Sequence, residues 1–196
     1  MTLTLLHTAE LHRSTFDTLR DRIAPGVSLL HVVRPDWLAE ARANGPEAVR
    51  APVAEAIRKA GGRVLCSCTT LGALAEDYGA LRIDRPMMRA AATIGGEAVL
   101  VYTLASTAEA SLSLLENEGG TARMLDLTAL WPLFEAGETA AFHAAIAQAL
   151  RADLAQNGGS VVVLAQASMA GATDLLGDLG LPVLSSPETA LRAALA

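Results

Sequence analysis

The sequence predicts an α/β protein made of two similar halves, each a mostly parallel sheet flanked by helices. Three observations carry this prediction. Short apolar runs alternate with longer amphipathic stretches, the pattern of a parallel sheet covered on both faces. The same order of segments occurs twice. Two Gly-Gly pairs, Gly61-Gly62 and Gly158-Gly159, fall at matching places just before an apolar run.

Taken in order, Leu3 to Leu6 reads as a strand, followed by the polar turn His7-Thr8-Ala9-Glu10 and a helix near Ser14 to Ile23. Val27 to Val33 is the second strand. A segment bearing Trp37 and a helical stretch from Pro46 to Ala60 follow, and Val64 to Cys68 is the third strand. The second half repeats this. Ala98 to Leu104 is a strand, Ala108 to Glu118 a helix, and Ala122 to Leu127 a strand. A segment bearing Trp131, a helix from Thr139 to Gln156 and a strand from Ser160 to Ala165 complete the match. The glycine pairs suit helix C-termini, where a left-handed residue ends the helix. After the third strand, Thr69-Thr70-Leu71-Gly72 stands against Ser168-Met169-Ala170-Gly171, and helices are expected after both. A last strand, Pro182 to Leu184, and a helix, Pro187 to Ala194, are expected to cross back to the first half. The halves are therefore residues 1–94 with 185–196, and residues 95–184. Ligands in such sheets bind beyond the carboxyl ends of the strands. Those ends carry Thr8, Cys68, Ser106 and Gln166, which are expected to meet in a cleft between the halves.

Bulk properties exclude several classes. The 196 residues are 52% hydrophobic and 18% charged, enough apolar surface for a core. No run of eighteen uncharged apolar residues exists, so no membrane span is expected. The start, Met1 to Leu6, lacks the basic flank and cleavage site of a signal peptide. Net charge is -6 and aromatics are 4%, without basic clusters, which argues against nucleic acid. The two cysteines, Cys66 and Cys68, are two residues apart on a strand end, a geometry that disfavours a bridge. A reducing, cytoplasmic compartment is the natural home. No dinucleotide or nucleoside triphosphate loop is present, no Gly-x-Ser-x-Gly elbow, and the four scattered histidines with Cys-x-Cys do not make a zinc site.

Cys68-Thr69-Thr70 is the richest chemical element. It ends an apolar strand and opens a helix, whose first N–H groups attract anions and lower a thiol's pKa. The threonines add hydroxyl donors, a combination suited to a substrate carboxylate beside a reactive thiol. A buried, inert cysteine is the alternative, and Cys66, deeper in the strand, is assigned to it. His12 is a second candidate for proton exchange near neutral pH, against a surface or helix-capping role. His7, at a strand end, is equally open; His31 is assigned to a strand and His143 to a helix face. Asp84 is a candidate to orient substrate, hold a loop or bind an arginine.

Val64-Leu-Cys-Ser-Cys68-Thr69-Thr70 resembles the strand-Cys-Asn-Thr element of the aspartate/glutamate racemase superfamily. Ile83-Asp-Arg-Pro-Met87, Leu164-Ala-Gln-Ala-Ser-Met-Ala170 and Pro182-Val-Leu-Ser-Ser-Pro187 resemble later elements of it, so the resemblance spans nearly the whole chain. It implies two pseudo-symmetric halves, a homodimer, a small carboxylate substrate, no cofactor, and proton or carbanion chemistry next to the carboxyl group. It also implies carboxylate binding by Thr8, Thr69, Thr70 and Ser168, with Ser106, Thr107, Gln166 and Ala167 as further lining.

One departure is central. The superfamily's second cysteine is missing here: matching methionines puts Gln166 in its place, and a gapless match of the halves puts Ala167 there. Thr69 also replaces the asparagine. A two-base racemase needs an acid–base group on each face of the carbon. With one thiol, decarboxylation or isomerisation suits the chain at least as well as racemisation. The alternative is a non-catalytic carboxylate-binding protein on the same fold.

Overall fold

A computed structural model describes residues 2–196. The chain divides into two units, Met1–Asp84 with Pro187–Ala196, and Arg85–Ser186. Each is built around a four-stranded, all-parallel sheet.

In the first unit the sheet order is β2-β1-β3-β4, from β1 (Thr2–His7), β2 (Ser28–Val33), β3 (Arg63–Cys66) and β4 (Leu81–Arg82). The helices are α1 (Leu11–Ile23), α2 (Pro35–Asn44), α3 (Arg50–Ala60) and α4 (Thr69–Glu76), with a 3-10 turn at Pro46–Val49. Pro35 opens α2, where its missing N–H is harmless and its fixed φ suits the first turn. Gly61 ends α3 with φ 62°, a left-handed conformation that a side chain would strain. Leu6, Trp37, Val53, Val64, Cys66, Cys68, Leu71 and Leu74 share one core.

The second unit repeats the order as β6-β5-β7-β8. Its elements are α5 (Arg85–Ile94), β5 (Glu97–Tyr102), α6 (Ala105–Asn117), β6 (Thr121–Asp126), α7 (Trp131–Glu135), α8 (Thr139–Asn157), β7 (Val161–Leu164) and β8 (Val183–Ser185). Val161 to Leu164 are fully buried, as expected of a central parallel strand, and they separate two cores. Val99, Val101, Val162 and Leu164 pack with Phe142, Ile146 and Leu150 of α8. Ala98, Leu100, Val161 and Val163 pack with Met87, Met88 and Ala91 of α5.

Two expectations are corrected. The unit boundary lies at Asp84/Arg85, ten residues before the one expected after residue 94. The cause is α5: it follows β4 in the chain, but its apolar face covers the second sheet. The last helix, α9 (Ser186–Leu195), does the reverse, following β8 while counting almost wholly with the first unit. There Arg63 donates to the Ala194 carbonyl at 2.8 Å and Arg22 pairs with Glu188. Secondly, the stretch after β7 is not an α-helix but a long 3-10 turn, Ala167–Leu175. His143 of α8 packs against it so closely that a Cβ on Gly171 would lie 2.3 Å from the ring. His143 Nε2 donates to the Ser168 carbonyl at 2.8 Å, taking an acceptor from the turn.

The paired registers make the repeat measurable. Leu6 stands beside Cys66 in the first sheet, and Val101 beside Leu164 in the second. The next N–H continues both ladders: Ser67 donates to Leu6, and Ala165 donates to Val101. Counting two residues on from Cys66 and Leu164 matches Cys68 with Gln166, not with Ala167. The same count matches Thr69 with Ala167 and Thr70 with Ser168. One residue beyond each first strand, Thr8 matches Thr103.

Candidate active site

At the end of β3, Cys68 is the N-cap of α4, with φ −102° and ψ 114°. Its extended backbone turns the chain from strand to helix, and its side chain is 7% exposed. It makes no closed capping bond. The Thr8 hydroxyl and the N–H groups of Leu71 and Thr70 nonetheless lie near enough to favour negative charge on Sγ. Burial outweighs them and pushes the thiol above its ordinary pKa, with the Asp84 charge adding to the rise. A helix start alone lowers a thiol's pKa; the sign is opposite here because a buried thiolate loses more hydration than the donors restore. At neutral pH Cys68 is a protonated thiol. Cys66 is fully buried, is also raised by burial, and lies 3.7 Å through Sγ from the Cys68 carbonyl. Both cysteines are free.

Thr69 and Thr70, both buried, form the first turn of α4. Thr8 is half-buried in the turn after β1. Asp84 is fully buried, and both its oxygens accept from Arg82, each at 2.9 Å. Of the three roles open to it, this is the arginine-binding one, and Arg82 itself is only 6% exposed. Thr8, Trp37, Leu6, His7, Val53, Cys66 and Leu71 line a narrow crevice at this end of the sheet.

The histidines form a second cluster in the same unit. His7 Nδ1 lies 2.7 Å from Ser67 Oγ, and its Nε2 lies 2.9 Å from His31 Nδ1. His31 Nε2 reaches Asp17 at 3.3 Å, so a hydrogen-bonded chain runs from Ser67 to a half-exposed carboxylate. Burial, then the neighbouring His12, His31 and Arg13, push His7 down to about 3. Burial pushes His12 down to about 4; its ring centre is 6.0 Å from that of His7. His12 is thus a buried neutral base, neither the surface residue nor the group titrating near neutrality that the sequence allowed.

In the second unit Gln166 is the N-cap of the 3-10 turn, 6% exposed. Its Oε1 accepts three donors: Thr103 N–H at 2.7 Å, the Thr103 hydroxyl at 3.1 Å and Leu104 N–H at 3.1 Å. The amide is thereby oriented, with its NH2 end turned away from those donors. Ala167 and Ser168 are buried beside it. Thr107 is buried in the first turn of α6, its N–H on the Leu104 carbonyl at 2.9 Å, with Ser106 half-buried before it. The sequence reading missed Thr103, Arg82 and the Ser67–His7–His31–Asp17 chain. Thr103 alone had a signal, its place in the repeat opposite Thr8.

Among the described residues no helix is long and apolar enough to cross a membrane, and no group of three or more His, Cys, Asp or Glu side chains is placed to hold a metal ion. The paired sheets and strand-end turns define a duplicated α/β protein. No protein-family model and no curated protein sequence matches the chain. Solved structures do. Allantoin racemase from Klebsiella pneumoniae is 19% identical with a TM-score of 0.71, covering 100% of this chain and 86% of its own. Aspartate racemase of Picrophilus torridus is 14% identical with a TM-score of 0.73, covering 99% and 92%. A glycine-to-cysteine mutant of arylmalonate decarboxylase, in a sulfate-associated form, is 17% identical with a TM-score of 0.60, covering 100% and 92%. The chain shares the fold of these racemases and of the decarboxylase.

Proposed function

We propose that this protein is a cofactor-independent enzyme of the aspartate/glutamate racemase superfamily, acting on a small carboxylate by proton transfer at the carbon next to the carboxyl group. The observation that carries the reading is the Cys68 turn: a buried, protonated thiol beside the Thr8 hydroxyl and the first-turn N–H groups of α4. Thr8, Thr69 and Thr70 supply donors for a carboxylate and for the charge that develops on it, the setting in which fixed dipoles lower a barrier most. Cys68 acts as an acid. In a decarboxylation, the bond to one carboxyl group breaks, carbon dioxide leaves, and the remaining enediolate takes the Cys68 proton; solvent then returns a proton to the thiolate. In an isomerisation the same thiol gives and regains the proton. Gln166 and Ser168 stand in the second half as hydrogen-bonding groups, neither able to deliver a proton unaided at neutral pH. The reaction is therefore one-sided: decarboxylase or isomerase rather than racemase.

The experiment is proton NMR in deuterated water with substituted malonates, maleate and amino acids. Turnover should place deuterium with a single handedness, and Cys68→Ser should reduce it by at least about a hundredfold, the usual weight of a positioned acid. Fast racemisation of both enantiomers of an amino acid by the unmodified protein would overturn the one-sided mechanism. Retention of activity in Cys68→Ser would move the proton to His12. A carboxylate-binding protein without turnover is the second reading, favoured by the amide at position 166; binding without any exchange across the panel would select it.

A further inference from the structure

One hydrogen-bonded row in the first unit plays no part in the proposed reaction: Ser67, His7, His31 and Asp17. His31 stands beside Leu5 in the register, so its ring shares a sheet face with His7, two residues further along β1. His7 and Ser67 are buried, the His31 side chain is 7% exposed and that of Asp17 46%, so the row runs from the interior to the surface. Each contact needs one proton between its two atoms, and that requirement fixes the tautomers. The Asp17 carboxylate only accepts, so His31 Nε2 carries a proton and donates across 3.3 Å. With His31 neutral, its Nδ1 is an acceptor. His7 Nε2 must then donate to it at 2.9 Å, which leaves His7 Nδ1 to accept the Ser67 hydroxyl at 2.7 Å.

Adding one proton to His31 reverses both inner links. Its Nδ1 becomes a donor, His7 Nε2 must accept, and the single proton of His7 resides on Nδ1 and is donated to Ser67 Oγ. The Ser67 hydrogen is released to its other acceptor, the Leu6 carbonyl at 3.2 Å, which already takes the Ser67 N–H at 2.9 Å. One proton is taken up in all, and His7 is neutral in both states. Burial, then the charges of His12, His31 and Arg13, push His7 down to about 3, which keeps it from taking a second proton. Facing the row from α1 are Arg20, 3.5 Å from Asp17, and Arg13, with the His12 ring centre 6.0 Å from that of His7. We propose that this row is a pH-driven tautomer switch: a proton taken up by His31 against Asp17 flips His7 and turns the Ser67 hydroxyl onto the Leu6 carbonyl, at the strand end that leads to Cys68. The switch goes beyond the chemistry proposed for Cys68 and does not depend on it.

The test is imidazole nitrogen–proton correlation NMR on the intact protein, with each ring assigned through bonds from its own backbone. The titration runs from about pH 8 to about pH 5, the span over which histidine changes charge. His7 should carry its proton on Nε2 at the alkaline end and on Nδ1 at the acid end. The change should keep step with the second proton on His31 and with a shift of the Leu6 carbonyl carbon. In Asp17→Asn the carboxylate that favours the added proton is gone, and the midpoint should fall by about one pH unit or more. A single His7 tautomer throughout while His31 charges overturns the switch, as does a doubly protonated His7 or a His31 that takes up no proton in this span. A Leu6 carbonyl signal that stays still overturns it too, and so does a midpoint unmoved in Asp17→Asn. The wild-type titration decides the tautomers whether or not the variant folds.

Discussion

The two strand-end turns share a backbone and part company in one side chain. In each, a threonine one residue past the first strand donates toward the residue two past the third: Thr8 toward Cys68, Thr103 toward Gln166. In the first turn the acceptor is a thiol carrying a proton it can give. In the second it is an amide oxygen that consumes the Thr103 and Leu104 N–H groups as well. The same scaffold therefore supports an acid in one half and a fixed hydrogen-bonding plug in the other. Conserved geometry does not imply conserved chemistry, since one residue type decides whether the donors stabilise a reactive group or satisfy an inert one.

The sharpest way to break this contrast is Gln166→Cys. The substitution frees three donors onto the new sulfur, which should hold its thiolate better than the Cys68 turn does. Mass-spectrometric mapping of iodoacetamide labelling at neutral pH should find the thiol at position 166 modified at least about tenfold faster than Cys68. Slower labelling at 166 than at Cys68 would mean that the Gln166 donors do not act on whatever occupies that position.

A second contrast is in acid sensitivity. The position of His7 in the first sheet is taken by Tyr102 in the second. His7 and His12 have folded pKa values near 3 and 4, below the 6.5 of an unfolded histidine. Between those values the unfolded chain binds more protons, so stability falls as pH falls, by at most about 1.4 kcal/mol per pH unit for each histidine. Above pH 6.5 this loss is absent. Carboxylates held low by arginines, Asp153 by Arg123 and Asp178 by Arg151, lose their contribution only as pH drops below the ordinary aspartate value. Urea unfolding between pH 7 and about pH 4.5 should show the histidine slope, and His12→Gln should roughly halve it. An unchanged slope in that variant would remove His12 from the buried, neutral cluster. Hydrogen exchange should find the first unit opening before the second as pH falls.

Much of this architecture is legible in the sequence, and the gaps have physical causes. Strands such as Val161–Leu164 and helices such as Thr139–Asn157 announce themselves by apolar runs and by the Gly158 stop. The two-residue β4 does not, because Leu81-Arg82 is too short to show a period. The allegiance of α5 was hidden for a different reason: an amphipathic pattern says that a helix has a covered face, not which sheet covers it. Cys68 was legible as a site candidate, but the sign of its pKa shift depends on burial, which spacing does not report. The sequence alone allows two registers for the partner of Cys68, Gln166 or Ala167; the Ser67 and Ala165 ladder bonds select Gln166. The contacts of His7 with Ser67 and His31 join residues 60 and 24 positions apart, beyond the reach of any local pattern.

The smallest expected effect is the most direct test of whether the two threonines do equivalent work. Valine is close to threonine in shape and lacks the hydroxyl. Thr8→Val removes one of the three groups that favour charge on Cys68, leaving burial and the Leu71 and Thr70 N–H groups. The thiol should then titrate higher still, and the rate of Cys68 alkylation at a fixed pH near 8 should fall about three- to tenfold, a hydrogen bond of roughly 1 kcal/mol. Thr103→Val removes a donor from Gln166, which keeps its two N–H bonds; it should cost about 0.5–1.5 kcal/mol of stability in urea unfolding and leave the Cys68 rate unchanged. A Thr8→Val protein that labels as fast as the wild type would mean that its hydroxyl does not tune the thiol, and the correspondence between Thr8 and Thr103 would then be one of backbone position alone.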